Sequence, residues 1–545
     1  MLDHVGVVSL ICALSWLLWK FMRPYVVAGV LDKLPGPASP SFVYGNLKQL
    51  YDRRGWDFHQ EIGDNYGPAV KLHGKFGKKI LYVFDPRAMH HIAVKEQYVY
   101  DEARWFLSMN NLTFGPGLLS VTGEQHRHQR KMLNPAFNIN HMRDMTPIFY
   151  EVTNRLRRAL LNQVTDGPAE IDMSKWMGRT ALELIGRGGL GYSFDPLVEE
   201  RSDTLGDALK TFVPSLYALS KYFQFYPYIE ATVPRFLRNL AAEWLPHKAF
   251  QRIRGLSLTL YERSIEIYNE KKAALQRGDE GMKCQVAEGK DLMSLLLRAN
   301  MSADATDRLS DKELIAQMST ITIAAVDTTS SALSMILFLL AQHVDVQTRL
   351  REELHAACHE GRDLEYDELV SLPYLDAVCR ETLRLYPMAP YRFRETREDV
   401  VLPLSEPVRG RDGTLISEIP LPKDTTVFVG ILSVNRNKAI WGPDAHEWKP
   451  ERWLSPLPET VSEAKIPGVY SNLMTFWGGG RACIGFKFSQ LEMKVVLATL
   501  ISTFTFELTE KPINWNLAGV VYPTVGDDIR PSLPLRVALA KAESA

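Results

Sequence analysis

Three consecutive glycines lead into a cysteine that opens a helix, and no other stretch restricts the fold of this chain so tightly. The segment reads Phe476-Trp477-Gly478-Gly479-Gly480-Arg481-Ala482-Cys483-Ile484-Gly485, and Phe486 to Thr503 continues with helical patterning. Glycines admit a tight loop that residues with a Cβ adopt only at a cost. The thiol is thereby delivered to a helix N-terminus, where backbone N–H groups and the macrodipole favour the thiolate. A thiolate in a glycine-rich, aromatic-flanked loop suits an axial iron ligand whose donation is tuned by hydrogen bonds to sulfur. The competing account is a buried structural cysteine, the commoner fate of this residue type.

The other cysteines do not share that setting. Cys12, Cys284, Cys358 and Cys379 complete a set of five in 545 residues, odd in number and without a repeated spacing. That is no disulfide framework, and it suits reduced thiols in a cytosol-facing protein. The formal net charge is −1, so no global field draws in nucleic acid, and none is expected as a partner.

The N-terminus has a character of its own. Val5 to Trp19 is apolar except for Ser9 and Ser15, and Lys20 and Arg23 follow it. With Phe21, Met22 and the interfacial Trp16 and Trp19 it approaches the roughly 20 residues a bilayer needs. The positive charge lies after the apolar run and no small-x-small site precedes Lys20, which argues against a cleaved signal peptide. The expectation is a single-pass N-terminal transmembrane anchor with the rest of the chain in the cytoplasm. Pro35, Pro37 and Pro40 then make a stiff hinge. The predicted organisation is an anchor over 1–23, a proline-rich hinge over 24–40 and one large domain over 41–545.

That domain reads as mainly α with small β-sheets. Ala69 to Leu72 and Lys79 to Phe84 suggest a hairpin, and Val400 to Leu402 and Thr425 to Val429 suggest short strands. Met142–Leu161, Met173–Leu184, Leu205–Leu219 and Leu256–Ala274 carry apolar residues at helical spacing. Gln276 to Lys290 is polar and glycine-containing, so it predicts an exposed loop. Asp311 to His343 is long, apolar and free of proline and glycine, enough for a helix crossing a whole domain.

Three further segments carry chemistry. Glu381 and Arg384 in Glu381-Thr382-Leu383-Arg384 share a helix face, which supports an ion pair. In Ala324-Ala325-Val326-Asp327-Thr328-Thr329, the residues Ile321, Ala325, Thr328 and Ala332 fall on one face of the long helix. Small residues there leave room for a flat ligand, and the Thr328 hydroxyl bonds to a backbone carbonyl or faces a ligand. In Gly123-Glu124-Gln125-His126-Arg127-His128-Gln129-Arg130, His126 and Arg130 are four apart and aim two donors at one site. His126 and His128 diverge on a helix, which makes zinc a poor fit.

Taken together and in this order, the segments resemble the cytochrome P450 family, over nearly everything beyond the hinge. The resemblance implies haem b as cofactor, with Cys483 as proximal ligand, Phe476 shielding the sulfur and Arg481, His126 and Arg130 on the propionates. Gly479 and Gly485 would allow close backbone approach to sulfur and porphyrin. Thr328 and Asp327 would manage proton delivery during oxygen activation. Glu381 and Arg384 would form a structural triad with Arg452 of Pro450-Glu451-Arg452-Trp453. The chain departs from the pattern at Trp477, at Ala325, where glycine is commoner, and at His126, which stands for tryptophan.

The activity implied is insertion of one oxygen atom into a lipophilic small molecule, in secondary metabolism or xenobiotic oxidation. NADPH–cytochrome P450 reductase in the same endoplasmic reticulum membrane would supply electrons, docking on Arg127, Lys131, Lys487 and Lys494. A haem-thiolate isomerase or dehydratase and a non-catalytic haem sensor are the alternatives, and the Asp327-Thr328 pair speaks against the first. The segments Phe106–Phe114, Tyr217–Tyr228, Ile321–Ala325, Ala389–Phe393 and Val520–Tyr522 match the family's pocket walls and are mostly apolar or aromatic, which suits terpenoids, steroids, fatty acids or polycyclic aromatics.

Overall fold

The computed structural model describes residues 6–540 apart from 10, 17–18, 20–28, 199–204, 206–208, 210, 224, 279–288, 306 and 359–361. Its helices of ten or more residues are α1 (Trp56–Asn65), α2 (Arg104–Phe114), α3 (Gly123–Leu133), α4 (Ile139–Gln163), α5 (Met173–Leu184), α6 (Arg235–Trp244), α7 (Lys248–Gln276), α8 (Leu292–Ser302), α9 (Asp311–Gln342), α10 (Val344–Ala357), α11 (Pro373–Leu385) and α12 (Phe486–Thr503). The strands are β1 (Ala69–His73), β2 (Lys79–Val83), β3 (Tyr100–Glu102), β4 (Ala169–Asp172), β5 (Tyr391–Thr396), β6 (Val400–Arg409), β7 (Leu415–Leu421), β8 (Thr426–Gly430), β9 (Phe504–Leu508), β10 (Ile513–Ala518), β11 (Val520–Val525) and β12 (Pro534–Leu539). The mainly helical class with small sheets is therefore observed.

The largest sheet has the order β1-β2-β8-β5-β3. Its hairpin registers Ala69 opposite Val83, β8 joins β2 in parallel, and β5 joins β8 antiparallel. Strands β4, β12 and β9 form a second sheet, while β6–β7 and β10–β11 stand as separate pairs.

Helix α9 organises the core. Its start is fixed by a capping box in which Ser310 and Glu313 bond each other's backbone N–H groups. By length and composition it could cross a membrane, yet 78% of its most apolar stretch is buried inside the protein. A helix that is apolar all round belongs in a core, and this one is packed by α5, α7, α11, α12, β9 and β11. Several of its hydroxyls bond back along the helix: Ser330 and Ser334 donate to the carbonyls of Val326 and Ser330.

Two expectations fall in good part outside the described residues. The helix expected over Leu205–Leu219 is described only as Phe212–Ala218, and part of its first half lies outside the described residues. Most of the loop expected over Gln276–Lys290 also lies outside them. Of the expected anchor, the described residues between Gly6 and Trp16 are helical and their side chains exposed.

Candidate active site

The cysteine loop is held by main chain. Cys483 N–H donates to the Phe476 carbonyl at 2.8 Å, and Val469 N–H to the Trp477 carbonyl at 3.0 Å. Gly479 has φ +63°, and a Cβ there would lie 1.9 Å from the Ala93 carbonyl oxygen. A Cβ on Gly485 would meet only the Phe137 ring at 3.8 Å, so no protein atom demands a glycine there. Trp477 takes φ +61°, rare for a bulky side chain. It is buried with the Arg394 guanidinium 4.5 Å over its ring. The Phe476 ring lies 5.5 Å from Tyr470 and 6.1 Å from Phe486.

Cys483 is enclosed by protein, yet its side chain borders open space. Arg392 on β5 has the same character. Along the otherwise sealed α9, the exceptions in mid-helix are Ile321, Ala324, Ala325 and Thr328. Ile321 and Ile484 pack against one apolar cluster, which brings α9 and the cysteine loop together. These observations describe an internal chamber with the thiol on one wall and the small residues of α9 on another.

Burial pushes the Cys483 thiol above its ordinary pKa, against the pull of the Gly485 N–H and the Arg392 and Arg130 guanidiniums. The Gly485 N–H thus favours the thiolate, as a helix start should, while burial opposes it.

Cationic and neutral donors surround the sulfur. Arg130 Nη1 donates to the Ala482 carbonyl at 2.5 Å. Arg481 Nη2 donates to the Val121 carbonyl at 2.9 Å and lies 3.4 Å from Asp101. His126 is buried, and desolvation together with Arg481 and Arg130 pushes it down to about 3, so its ring is neutral at physiological pH. Among the described residues, the side chains of His126 and Arg392 make no protein hydrogen bond. Three guanidiniums and a neutral imidazole, with Asp101 the acid paired to one of them, fit the carboxylated edge of a haem. Arg392 is the member sequence reasoning missed.

On the other wall, Thr328 Oγ1 donates to the Ala324 carbonyl at 2.7 Å, leaving its oxygen free to accept. Asp327 is buried beside it, 4% exposed. Behind the loop, Arg384 donates two hydrogen bonds to Glu381 at 2.7 and 2.8 Å, and Arg452 Nε donates a third at 3.3 Å. Arg384 also donates to the carbonyls of Asn435, Ala445 and Glu447, so the triad fastens α11 to the segment before the loop. His128 Nε2–H donates to the Asp307 carbonyl at 2.8 Å, well apart from His126 in role. Of the proposed docking cations, Arg127 and Lys131 are exposed and Lys487 is half-buried. Lys494 is buried and pairs with Asp376 at 2.7 Å, so it cannot serve as a surface contact.

The family model for cytochrome P450 matches residues 35–529. The chain is 52% identical over 537 residues to cytochrome P450 monooxygenase 91 of Postia placenta, covering 98% of this chain and 99% of the relative. It is 48% identical over 541 residues to ganoderic acid synthetase CYP5150L8 of Ganoderma lucidum, covering 98% and 99%. It is 40% identical over 535 residues to a cytochrome P450 monooxygenase, eriI, of Hericium erinaceus, covering 96% of each. With matches of this extent, and the cysteine loop, the Glu381 triad and the mid-helix Asp-Thr pair all in place, the chain belongs to the cytochrome P450 family and is an oxygen-incorporating oxidoreductase.

Proposed function

We propose that this chain holds haem b through the Cys483 thiolate and inserts one oxygen atom into a lipophilic molecule, with electrons passed from NADPH by a cytochrome P450 reductase. The observation that carries this reading is the company Cys483 keeps: an enclosed thiol beside Arg130 and Arg392, facing a chamber walled by Ala324, Ala325 and Thr328. Haem would supply dioxygen reduction and oxygen insertion, with the thiolate favouring O–O cleavage.

The chain's own residues do the rest. Arg130, Arg392, Arg481 and His126 orient the propionates. Phe476 screens the sulfur, Gly479 sets the loop, and Gly485 lets the macrocycle approach. Asp327 and Thr328 would hold and pass protons from the wall of the chamber formed by α9. Trp105, Phe106 and Phe393, with ring centroids 4.7 to 6.1 Å apart, make an aromatic wall suited to a greasy substrate. A relative named as a ganoderic acid synthetase favours secondary metabolism over xenobiotic oxidation.

Residues 1–23 anchor the protein in the endoplasmic reticulum membrane, 24–40 form the hinge and 41–545 the catalytic domain facing the cytoplasm. The reductase docks on Arg127, Lys131 and Lys487.

Replacing Cys483 by Ala should abolish the thiolate-specific absorption of the reduced carbon monoxide complex. Single replacements of the other four cysteines should preserve it. A Cys483→Ala protein that kept the signature would overturn the ligand assignment.

A further inference from the structure

The segment joining α2 to α3 lies directly against α9. A Cβ on Gly117, in its middle, would stand 2.6 Å from Thr320 Oγ1 and 3.0 Å from the Ala316 carbonyl oxygen. Gln317 lies one turn before Ile321, on the face of α9 that walls the chamber, yet it is fully buried. Its Oε1 accepts from Leu118 N–H at 3.1 Å, and its Nε2 donates to Gln129 Oε1 of α3 at 2.7 Å. Gln129, equally buried, donates from Nε2 to the Pro116 carbonyl at 2.9 Å and to Glu313 Oε1 at 3.0 Å.

Each amide can face only one way. Leu118 offers a donor while Pro116 and Glu313 offer acceptors, so turning either glutamine over sets like against like. Glu313 stays charged for this role: burial opposes its ionisation, yet the Gln125 amide, the Ser310 N–H and the Gln129 amide hold its pKa down to about 2. Two side chains therefore tie α9, α3 and the joining segment at one point.

What hangs on that tie is Arg481. Leu118 gives its N–H to Gln317 and offers its carbonyl to Arg481 Nη1 at 3.4 Å. The Val121 carbonyl, in the same segment, takes Arg481 Nη2 at 2.9 Å. Asp101 waits 3.4 Å from that nitrogen, a carboxylate ready to neutralise the guanidinium once the carbonyls move away. Gln129 also stands between His126 and Arg130 in the sequence of α3.

We propose that Gln317 and Gln129 are positioning residues for the cofactor: by fixing the Leu118 carbonyl they keep the Arg481 guanidinium at the haem edge and limit its pairing with Asp101, which raises the reduction potential of the iron. A cation held at that edge favours the reduced iron, which carries one positive charge fewer. Neither glutamine borders the chamber, so both act through Arg481. The inference rests on the haem reading made above.

Potentiometric titration of the full-length holoenzyme tests it, together with the rate of haem transfer to apomyoglobin. Methionine matches glutamine in length but lacks the amide. Gln317→Met and Gln129→Met should each keep the carbon monoxide signature, lower the potential by roughly half as much as Arg481→Gln does, and speed haem transfer roughly three-fold. In an Arg481→Gln background either replacement should leave the potential where Arg481→Gln alone puts it, because the shift runs through Arg481. Loosened packing would instead add its effect, and an additive shift overturns the inference. Should one methionine variant fail to fold, the other decides. If both keep the parent potential while Arg481→Gln lowers it, the tie does not position Arg481. If Arg481→Gln itself changes neither readout, it is the place of Arg481 at the haem edge that fails.

Discussion

Arg392 shows what a single residue can conceal. Tyr391-Arg392-Phe393-Arg394-Glu395-Thr396 alternates like a half-buried strand, which makes its arginines look solvent-facing. Instead Arg394 is buried, 2.9 Å from Glu102 and stacked on Trp477, and Arg392, two residues earlier on the same strand face, borders the chamber beside Cys483. The interior is polar here because a charged ligand edge is expected in it, and no periodicity announces that. Arg392→Ala should fold with an unchanged far-ultraviolet circular dichroism spectrum but retain visibly less haem per chain after gel filtration. Arg392→Lys should recover part of the loss. Wild-type haem content in the alanine variant would remove Arg392 from the cofactor's surroundings. Cys483, by contrast, was legible because its glycines, aromatic neighbour and following helix are all local. Trp477 was legible only as an oddity. Its left-handed backbone costs roughly 1–2 kcal/mol, offset by burial of the indole under Arg394.

At the scale of elements, the contact of α9 with α12 holds a carboxyl out of water. Glu492 is fully buried, with the Thr329 hydroxyl of α9 as its polar neighbour. Desolvation raises its pKa well above 4.5, and the Thr329 hydroxyl only partly opposes this. Between the unfolded and folded pKa values, the folded chain keeps a proton that the unfolded chain has lost. Stability therefore falls as pH rises through that window, by about 1.4 kcal/mol per pH unit from this group. Glu492→Gln stays neutral in both states, so its Tm should exceed the parent's at about pH 8 and converge with it near about pH 5. A gap independent of pH in calorimetry would mean that Glu492 is ionised in the fold. The helices themselves were readable: α4, α5 and α7 fall where three- and four-residue spacing puts them, and α9 where a long apolar run lacks proline and glycine. Charged residues on α12 were not, because Glu492 and Lys494 look solvent-facing until α9 and Asp376 are packed against them.

Over the whole molecule, apolar surface gathers where the chain leaves its core. Phe225 and Tyr228 are 52% and 73% exposed, and Phe236 and Trp244 of α6 are 69% and 79% exposed. The Lys75 ammonium beside the β1–β2 hairpin lies 4.6 Å over the Phe225 ring, and Phe76 meets Phe42 at 6.4 Å, so the hairpin and the residues after the hinge belong to the same region. Phe223, one of the aromatic cluster at 222–228, packs instead against the core. Deleting residues 1–23 should release protein from microsomes with its carbon monoxide spectrum intact, since none of the motifs around Cys483 lies in that segment. A fraction should stay membrane-associated and be released by Phe225→Asp with Tyr228→Asp. Loss of haem on truncation would place the anchor within the fold. The order of motifs made the catalytic domain legible from sequence. The shape of this apolar surface was not, because it is assembled from segments nearly two hundred residues apart.

The pressure on Gly479 comes from the carbonyl of Ala93, and that on Gly478 from the carbonyl of Pro467, 2.0 Å from where a Cβ would stand. Main-chain oxygens are present whatever side chain occupies positions 93 and 467. A defect caused by Gly479→Ala should therefore have no second-site suppressor at either position, and a genetic screen for revertants should return glycine at 479. The loop around the thiol is in this sense closed to compensatory evolution, while the walls of the chamber, built from side chains, remain open to it.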